Sequence, residues 1–494
     1  MLDVAIVGAG FAGLGMGIAL RAAGRDGFAV FERADAVGGT WRDNTYPGVA
    51  CDVPGHLYGY ERHPNPACSG VYATGAEIHH YLRRVAEAEG LTDRIRLCSP
   101  MLGATWRDDR WLITIGGREV GGVTARSLVL ACGRLTEPAI PEVGGLGSFP
   151  GPIFHSARWD HTVPLEGRRV AVVGTGASAV QLVPELVRRG AEVVLFQRTP
   201  AWIVPRGARA YTAAERARFA RDPETLRALR DELYAQGEAR FPSRSGDAAA
   251  AAEAERGARA HLAAQVADPA LRAALTPGYA FGCKRVLLSD DFYPAVSSRS
   301  VTLEPSALSA VEHGTLVAAS GARHDADVLV LATGFAASQQ PYAELVRGEH
   351  GTLAEHWSAG MTSFASTVVP GFPNLFVLNG PNASLGHNSS VLMTEAQAAY
   401  VVRTLRTLDR RDEALRVRPE AERAYTAWID EAAAPTPWIG GGCDNRYVDE
   451  RSGRLTLLWP GTVDAFRAML EGCRGDEFVT ADAPGDPPGA EGEP

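Results

Sequence analysis

No run of 18 uncharged apolar residues occurs in this chain, and its opening, Met1-Leu2-Asp3-Val4, enters a strand-like run with no basic segment ahead of it. Both absences argue against a membrane span or a secretory signal peptide. Positive charge is also in deficit, with 49 Lys and Arg against 58 Asp and Glu and a formal net charge of -9. A nucleic-acid binder would carry a basic stripe, so the expected partners are small molecules, with neither nucleic acid nor membrane, and the expected location is the cytoplasm. Cysteine is sparse as well. The seven, at 51, 68, 98, 132, 283, 443 and 473, are odd in number, scattered and never arranged as Cys-x-x-Cys. That spacing predicts neither a zinc site nor a disulfide framework, and it counts against redox chemistry through a vicinal thiol pair.

What the chain has is material for a large core: 46% of its 494 residues are hydrophobic, enough for two or three domains. Asp3 to Val7 is a short apolar run, followed by Gly8-Ala9-Gly10-Phe11-Ala12-Gly13 and then helical apolar spacing to Ala23. This is G-x-G-x-x-G in its strand-turn-helix setting, where glycines let the backbone approach a pyrophosphate and the helix N-terminus faces the anion. The next strand, Phe28 to Phe31, ends at Glu32, an acid suited to a ribose diol and hostile to a 2′-phosphate. The residues thus suit FAD or NAD rather than NADP, and because the first such unit in two-nucleotide oxidoreductases usually holds the flavin, FAD is expected here, through Gly8, Gly10, Phe11, Ala12, Gly13 and Glu32.

A second unit opens at Arg169 to Val173 and continues as Gly174-Thr175-Gly176-Ala177-Ser178-Ala179 into a helix that carries Gln181. Its following strand ends in Gln197-Arg198-Thr199. Arg198 holds the register position that Glu32 holds in the first unit, with opposite charge. A guanidinium fork matches a 2′-phosphate, so this site is expected to prefer NADPH. Two such units imply an α/β fold with two Rossmann-like dinucleotide-binding domains, and hydride transfer from NADPH to flavin.

Three further stretches carry a resemblance. Between the units lies Phe149-Pro150-Gly151-Pro152-Ile153-Phe154-His155-Ser156-Ala157-Arg158-Trp159-Asp160, which taken alone reads as a loop; Gly39 to Asp52 has the form Gly-x-Trp-x-x-x-x-Tyr-Pro-Gly-x-x-x-Asp; and Lys284-Arg285 follows an Ala-, Arg- and Glu-rich stretch. The first resembles the fingerprint of Baeyer–Villiger monooxygenases, through Phe149, Gly151, His155, Trp159 and Asp160. The second is similar to the family's other signature at every defined position, and the Lys-Arg pair resembles the family's own. The resemblance implies an NADPH- and O2-dependent enzyme that inserts one oxygen beside a ketone carbonyl, through a C4a-peroxyflavin, to give an ester or lactone. It implies flavin contacts at Thr40, Trp41 and Tyr58, Asp52 and Arg285 at the reacting centre, and Lys284 assisting Arg198. A flavin N- or S-oxygenase, or a non-catalytic NADPH/FAD redox sensor, would share the domains.

The expected layout places an FAD domain at 1–148 and 337–473, an NADP domain at 149–204 and 281–336, a helical insertion at 205–280 and a disordered tail at 474–494. Val391 to Leu405 is expected to be helical, and His387 before it to be a satisfied loop histidine rather than a base. At Asn445-Arg446-Tyr447 many relatives have Ser-Trp-Tyr, so Arg446 is expected to alter cofactor contact and substrate range.

Overall fold

The computed structural model describes residues 1–338, 340–410 and 413–479. Two parallel-strand sheets carry the two glycine turns. In the first, Leu2–Val7 pairs in parallel with Phe28–Phe31 on one side and Gly121–Leu130 on the other. The antiparallel ribbon Met101–Arg107 and Arg110–Ile115 extends it, and Leu375–Val377 returns late in the chain to pair with Gly121–Leu130. The second sheet has five parallel strands in the order Val301–Glu304, Glu192–Phe196, Arg169–Val173, Val328–Leu331, Ile153–His155. The central strands are buried on both faces, as parallel strands covered by helices must be.

Thus the dodecamer between the units is not only a loop. Ile153–His155 within it forms the edge strand of the second sheet, in register with Leu329–Leu331. Phe149 is buried in the core beneath, and a Cβ on Gly151 would lie 2.1 Å from the Asp327 carbonyl oxygen, so only glycine fits there.

The stretch between two strands of the second sheet, Glu192–Phe196 and Val301–Glu304, is helical, and capping residues mark where its helices start. Thr212 and Glu215 make a capping box for Ala213–Arg221, Asp222 with Pro223 starts Pro223–Glu238, and Asp247 caps the alanine-rich Ala248–Gln265. Ser390–Leu408 packs against the first nucleotide helix, Phe11–Ala22.

The chain crosses between the sheets twice, and the crossings bond to each other. Ala139 N–H donates to the Gly334 carbonyl at 2.9 Å, Ala336 N–H to that of Glu137 at 3.0 Å, and Thr333 Oγ1 to that of Ala139 at 2.6 Å. Near the C-terminus Phe478–Val479 pairs antiparallel with Arg416–Val417. The tail expected from 474 therefore begins with an ordered strand, and residues 480–494 lie outside the described residues. No helix among the described residues is long and apolar enough to cross a membrane.

Candidate active site between the nucleotide turns

Each glycine turn is shaped to let something approach its backbone. Gly8 has φ +104°, and a Cβ on Gly13 would sit 1.8 Å from the Gly8 carbonyl oxygen. Gly10 begins the helix Phe11–Ala22 with no side-chain cap, which leaves its first N–H groups free for an anion. Glu32 is buried at the end of the next strand. Its Oε2 accepts from Ala9 N–H at 2.8 Å, and its Oε1 from Ala34 N–H and Arg42 Nη1, each at 3.0 Å. The second turn repeats the design: Gly174 has φ +109°, Gly176 starts Ala177–Arg188 uncapped, and Thr175 Oγ1 donates to the Thr199 carbonyl at 2.8 Å. The residues present therefore fit two dinucleotides, with acid at one ribose end and cations at the other. Arg198 and Lys284 are neighbours, and burial and the Arg198 charge both push the Lys284 ammonium down. Arg198 Nη2 lies 3.8 Å from Asp444 Oδ2, both side chains being 73% exposed.

The Gly39–Asp52 stretch wraps the first turn. Gly39 has φ +53° and precedes the short helix Thr40–Asp43. Phe11, Trp41 and Tyr58 cluster there, with Phe11 and Tyr58 ring centroids 5.0 Å apart and Trp41 Nε1 donating to Tyr58 Oη at 3.3 Å. Further on, Gln181 reaches across from the second nucleotide helix. Tyr46 Oη donates to its Oε1 at 2.9 Å, and its Nε2 donates to the Ala50 carbonyl at 2.9 Å. Gln181, expected as a cofactor contact, also fastens the Asp52 loop to the second nucleotide helix through its amide.

At the end of that loop Asp52 meets Arg285 from 233 positions away. Arg285 Nε donates to Oδ2 and Nη2 to Oδ1, both at 2.7 Å, a bidentate pair whose side chains keep 30% and 23% of their exposure. Asp52 raises the Arg285 pKa above its ordinary value, so this guanidinium is a permanent charge. Burial works to raise the Asp52 carboxyl, but the charge and hydrogen bonds of Arg285 and the charge of Arg206 hold it below the usual value.

The other expected residues have the following partners in the structure. His155 is buried with Nδ1 accepting from Ala157 N–H at 3.1 Å, Trp159 packs edge-on against Phe154 at 4.9 Å, and Asp160 accepts from Thr162 N–H and Oγ1. His387 is buried beside the Phe241 ring, 3.3 Å from Glu238 Oε1. Arg446 is exposed, over the Tyr447 ring at 5.9 Å.

One expectation is overturned. Cys283 and Cys443 form a disulfide, which joins the residue before Lys284-Arg285 to the segment carrying Asp444, Asn445 and Arg446. Separation by 160 residues and the lack of any local cysteine motif hid the pair from a spacing argument. The structure also adds three arginines from the 205–280 stretch: Arg206, whose Nη2 donates to the Cys51 carbonyl at 3.0 Å, Arg244, whose Nη1 donates to the Gly386 carbonyl at 2.8 Å, and Arg240, adjacent to Arg244 and His387. No sequence signal separated them from arginines such as Arg227, Arg256 and Arg259, which pair with helical glutamates at the surface.

Comparison with known proteins accords with this geometry. Residues 5–212 match the family model described as pyridine nucleotide-disulphide oxidoreductase. The chain is 44% identical to a Baeyer-Villiger monooxygenase of Streptomyces coelicolor, over 94% of this chain and 90% of that one. It is 39% identical to one of Pseudomonas aeruginosa, over 94% and 89% respectively. Among solved structures, oxidized steroid monooxygenase bound to NADP superposes with a TM-score of 0.84 at 30% identity, covering 97% of this chain and 99% of that one. The closed crystal structure of cyclohexanone monooxygenase gives 0.84 at 26% identity with the same coverage.

Proposed function

The chain belongs to the Baeyer–Villiger monooxygenases, and from that premise we infer that Asp52 and Arg285 form the polar centre of its reaction, between an FAD site at the first glycine turn and an NADP site at the second. It is an FAD- and NADPH-dependent enzyme that inserts one oxygen atom beside a ketone carbonyl. The balance is ketone, O2, NADPH and a proton to ester or lactone, NADP⁺ and water. FAD, once reduced by NADPH, supplies the activation of O2.

The protein's own contribution is positioning and charge. Gly8, Gly10 and Gly13 admit one pyrophosphate and Gly174, Thr175 and Gly176 the other, with Glu32 for a ribose diol. Arg198 and Lys284 suit the 2′-phosphate that distinguishes NADPH. Phe11, Trp41 and Tyr58 offer an edge-to-face aromatic cluster on the flavin side. Arg285 cannot give up its proton at working pH, so it presents fixed positive charge where oxygen transfer develops negative charge. Asp52 takes two of its donor edges and thereby aims the remaining Nη1, which makes no hydrogen bond among the described residues.

The observation that carries this reading is the bidentate Asp52–Arg285 pair, built from the Gly39–Asp52 signature and the Lys284-Arg285 pair. The ketone class as substrate and a cytoplasmic location, where NADPH is supplied, belong to the same reading. The test is incubation of the yellow protein with NADPH, 18O2 and a panel of ketones, amines and sulfides. One 18O atom in an ester or lactone product is the expected result. Label confined to N-oxides, sulfoxides or released hydrogen peroxide would overturn it.

A further inference from the structure

Around the Asp52–Arg285 pair the structure holds more positive charge than it neutralises. Asp52 spends both carboxylate oxygens on Arg285. Two further carboxylates are also engaged: Asp290 accepts from the Arg206 and Ala208 backbone N–H groups, and Glu238 accepts from Asn388 Nδ2 and Val463 N–H beside His387. Arg206 stacks over the Tyr72 ring at 4.8 Å, with Nε buried and unpartnered.

Arg244 is the least compensated of the group. Its chain packs over Gly282, three residues before Arg285, and one donor, Nη1, reaches the Gly386 carbonyl. Its Nε is buried without a partner, and Nη2 makes no hydrogen bond or ion pair among the described residues. Burial and the like charges of Arg285 and Arg240 lower its pKa to about 10, so it remains charged at neutral pH. Arg240 beside it also forms no side-chain hydrogen bond or ion pair among the described residues, and it faces Tyr72 and His387. Half-buried charge of one sign, compensated only by the distant and already paired Asp52, is costly unless a ligand supplies the other sign. The two nucleotide sites have anion devices of their own, the uncapped helix starts with Arg198 and Lys284, none of which involves these arginines.

We propose that the preferred substrate of this monooxygenase is a ketone bearing a carboxylate, which Arg244 and Arg240 hold while the carbonyl lies beside Arg285. The inference rests on the oxygenating function proposed above and assigns that site its substrate class. Binding would place the anion on free N–H donors on the insertion side, away from the committed Asp52. A bidentate guanidinium–carboxylate contact is worth about 10- to 100-fold in selectivity over a neutral group.

The test pairs a medium-chain oxo acid with its methyl ester, identical in the reacting ketone. For the wild-type holoenzyme the ratio of kcat/KM for acid over methyl ester should be roughly 10 or more, approaching 1 in Arg244→Gln and partly restored in Arg244→Lys. Binding is read separately, by titrating each compound into oxidised holoenzyme and following the flavin spectrum at low and high salt. The acid should bind more weakly as salt rises, and the methyl ester should not. This reading needs no variant and stands if Arg244→Gln fails to fold. A wild type that prefers the methyl ester overturns the substrate class while leaving the oxygenase reading intact, as does an Arg244→Gln that weakens NADPH equally with both compounds. Failure to oxygenate any ketone strikes the oxygenase reading instead.

Discussion

Asp52→Ala removes the acceptor of two Arg285 donors and leaves the guanidinium, its charge and its free Nη1 in place. It thus isolates aim from charge. Two hydrogen bonds of 2.7 Å are lost between half-buried partners that keep 30% and 23% exposure. Taking each at the lower end for charge-assisted bonds, about 1.5 kcal/mol because solvent screens part of the pair, gives roughly 3 kcal/mol, or ~10²-fold in rate if all of it serves to hold Arg285 in the reacting geometry. Two rates should be measured separately: bleaching of the flavin by NADPH under argon, and ester appearance in air. Bleaching should stay within about threefold of wild type while ester formation falls by ~10². The pH profile adds a sign. Because Asp52 titrates below its ordinary value, the pair is complete above the unfolded carboxylate value and is lost only as pH falls through the depressed one. The deficit of Asp52→Ala should therefore be constant from about pH 5 to neutrality. Ester formation at the wild-type rate, or bleaching slowed as much as ester formation, would refute the assignment of Asp52 to aiming Arg285.

Three other outcomes follow from the geometry. Arg198→Ala should raise the KM for NADPH by ~10-fold and leave NADH little changed, as steady-state kinetics with both coenzymes will show. Gly13→Ala, whose Cβ would meet the Gly8 carbonyl oxygen at 1.8 Å, should give protein with little bound flavin, read from the ratio of visible to ultraviolet absorbance. Cys443→Ser should lower the melting temperature and abolish its response to reductant, since a bond spanning 160 residues restricts the unfolded chain by up to about 5 kcal/mol; thiol titration of denatured wild type should find five groups before reduction and seven after.

The two glycine turns were legible because their function is local: strand, turn, helix and the charge 24 positions on all lie in one contiguous stretch. The same holds for Ala248–Gln265, whose composition and Asp247 cap define it without help from the rest of the molecule. The Asp52–Arg285 pairing came from family resemblance, since no spacing rule joins residues 233 apart. What stayed hidden depends on contacts between distant segments. The tie that Gln181 makes to the Asp52 loop shows only once the Tyr46 hydroxyl and the Ala50 carbonyl lie against it. Arg244 looks like its surface neighbours until the fold buries its Nε, and Cys283 and Cys443 look like strays until the domains close. Ile153–His155 was read as loop because three residues give too little alternation, and the sheet edge beside Val328–Leu331 supplies the missing hydrogen bonds.

The doubled crossing between the sheets has a mechanical meaning. A single covalent linker would act as a swivel, free to rotate about several axes. Here the segments at 137–139 and 334–336 are laced together by hydrogen bonds into a flat strap. A strap folds across its width and resists twist and sideways shear. The two crossings are thus one doubled connection rather than two independent swivels, and it works alongside the Cys283–Cys443 and Asp52–Arg285 links described above.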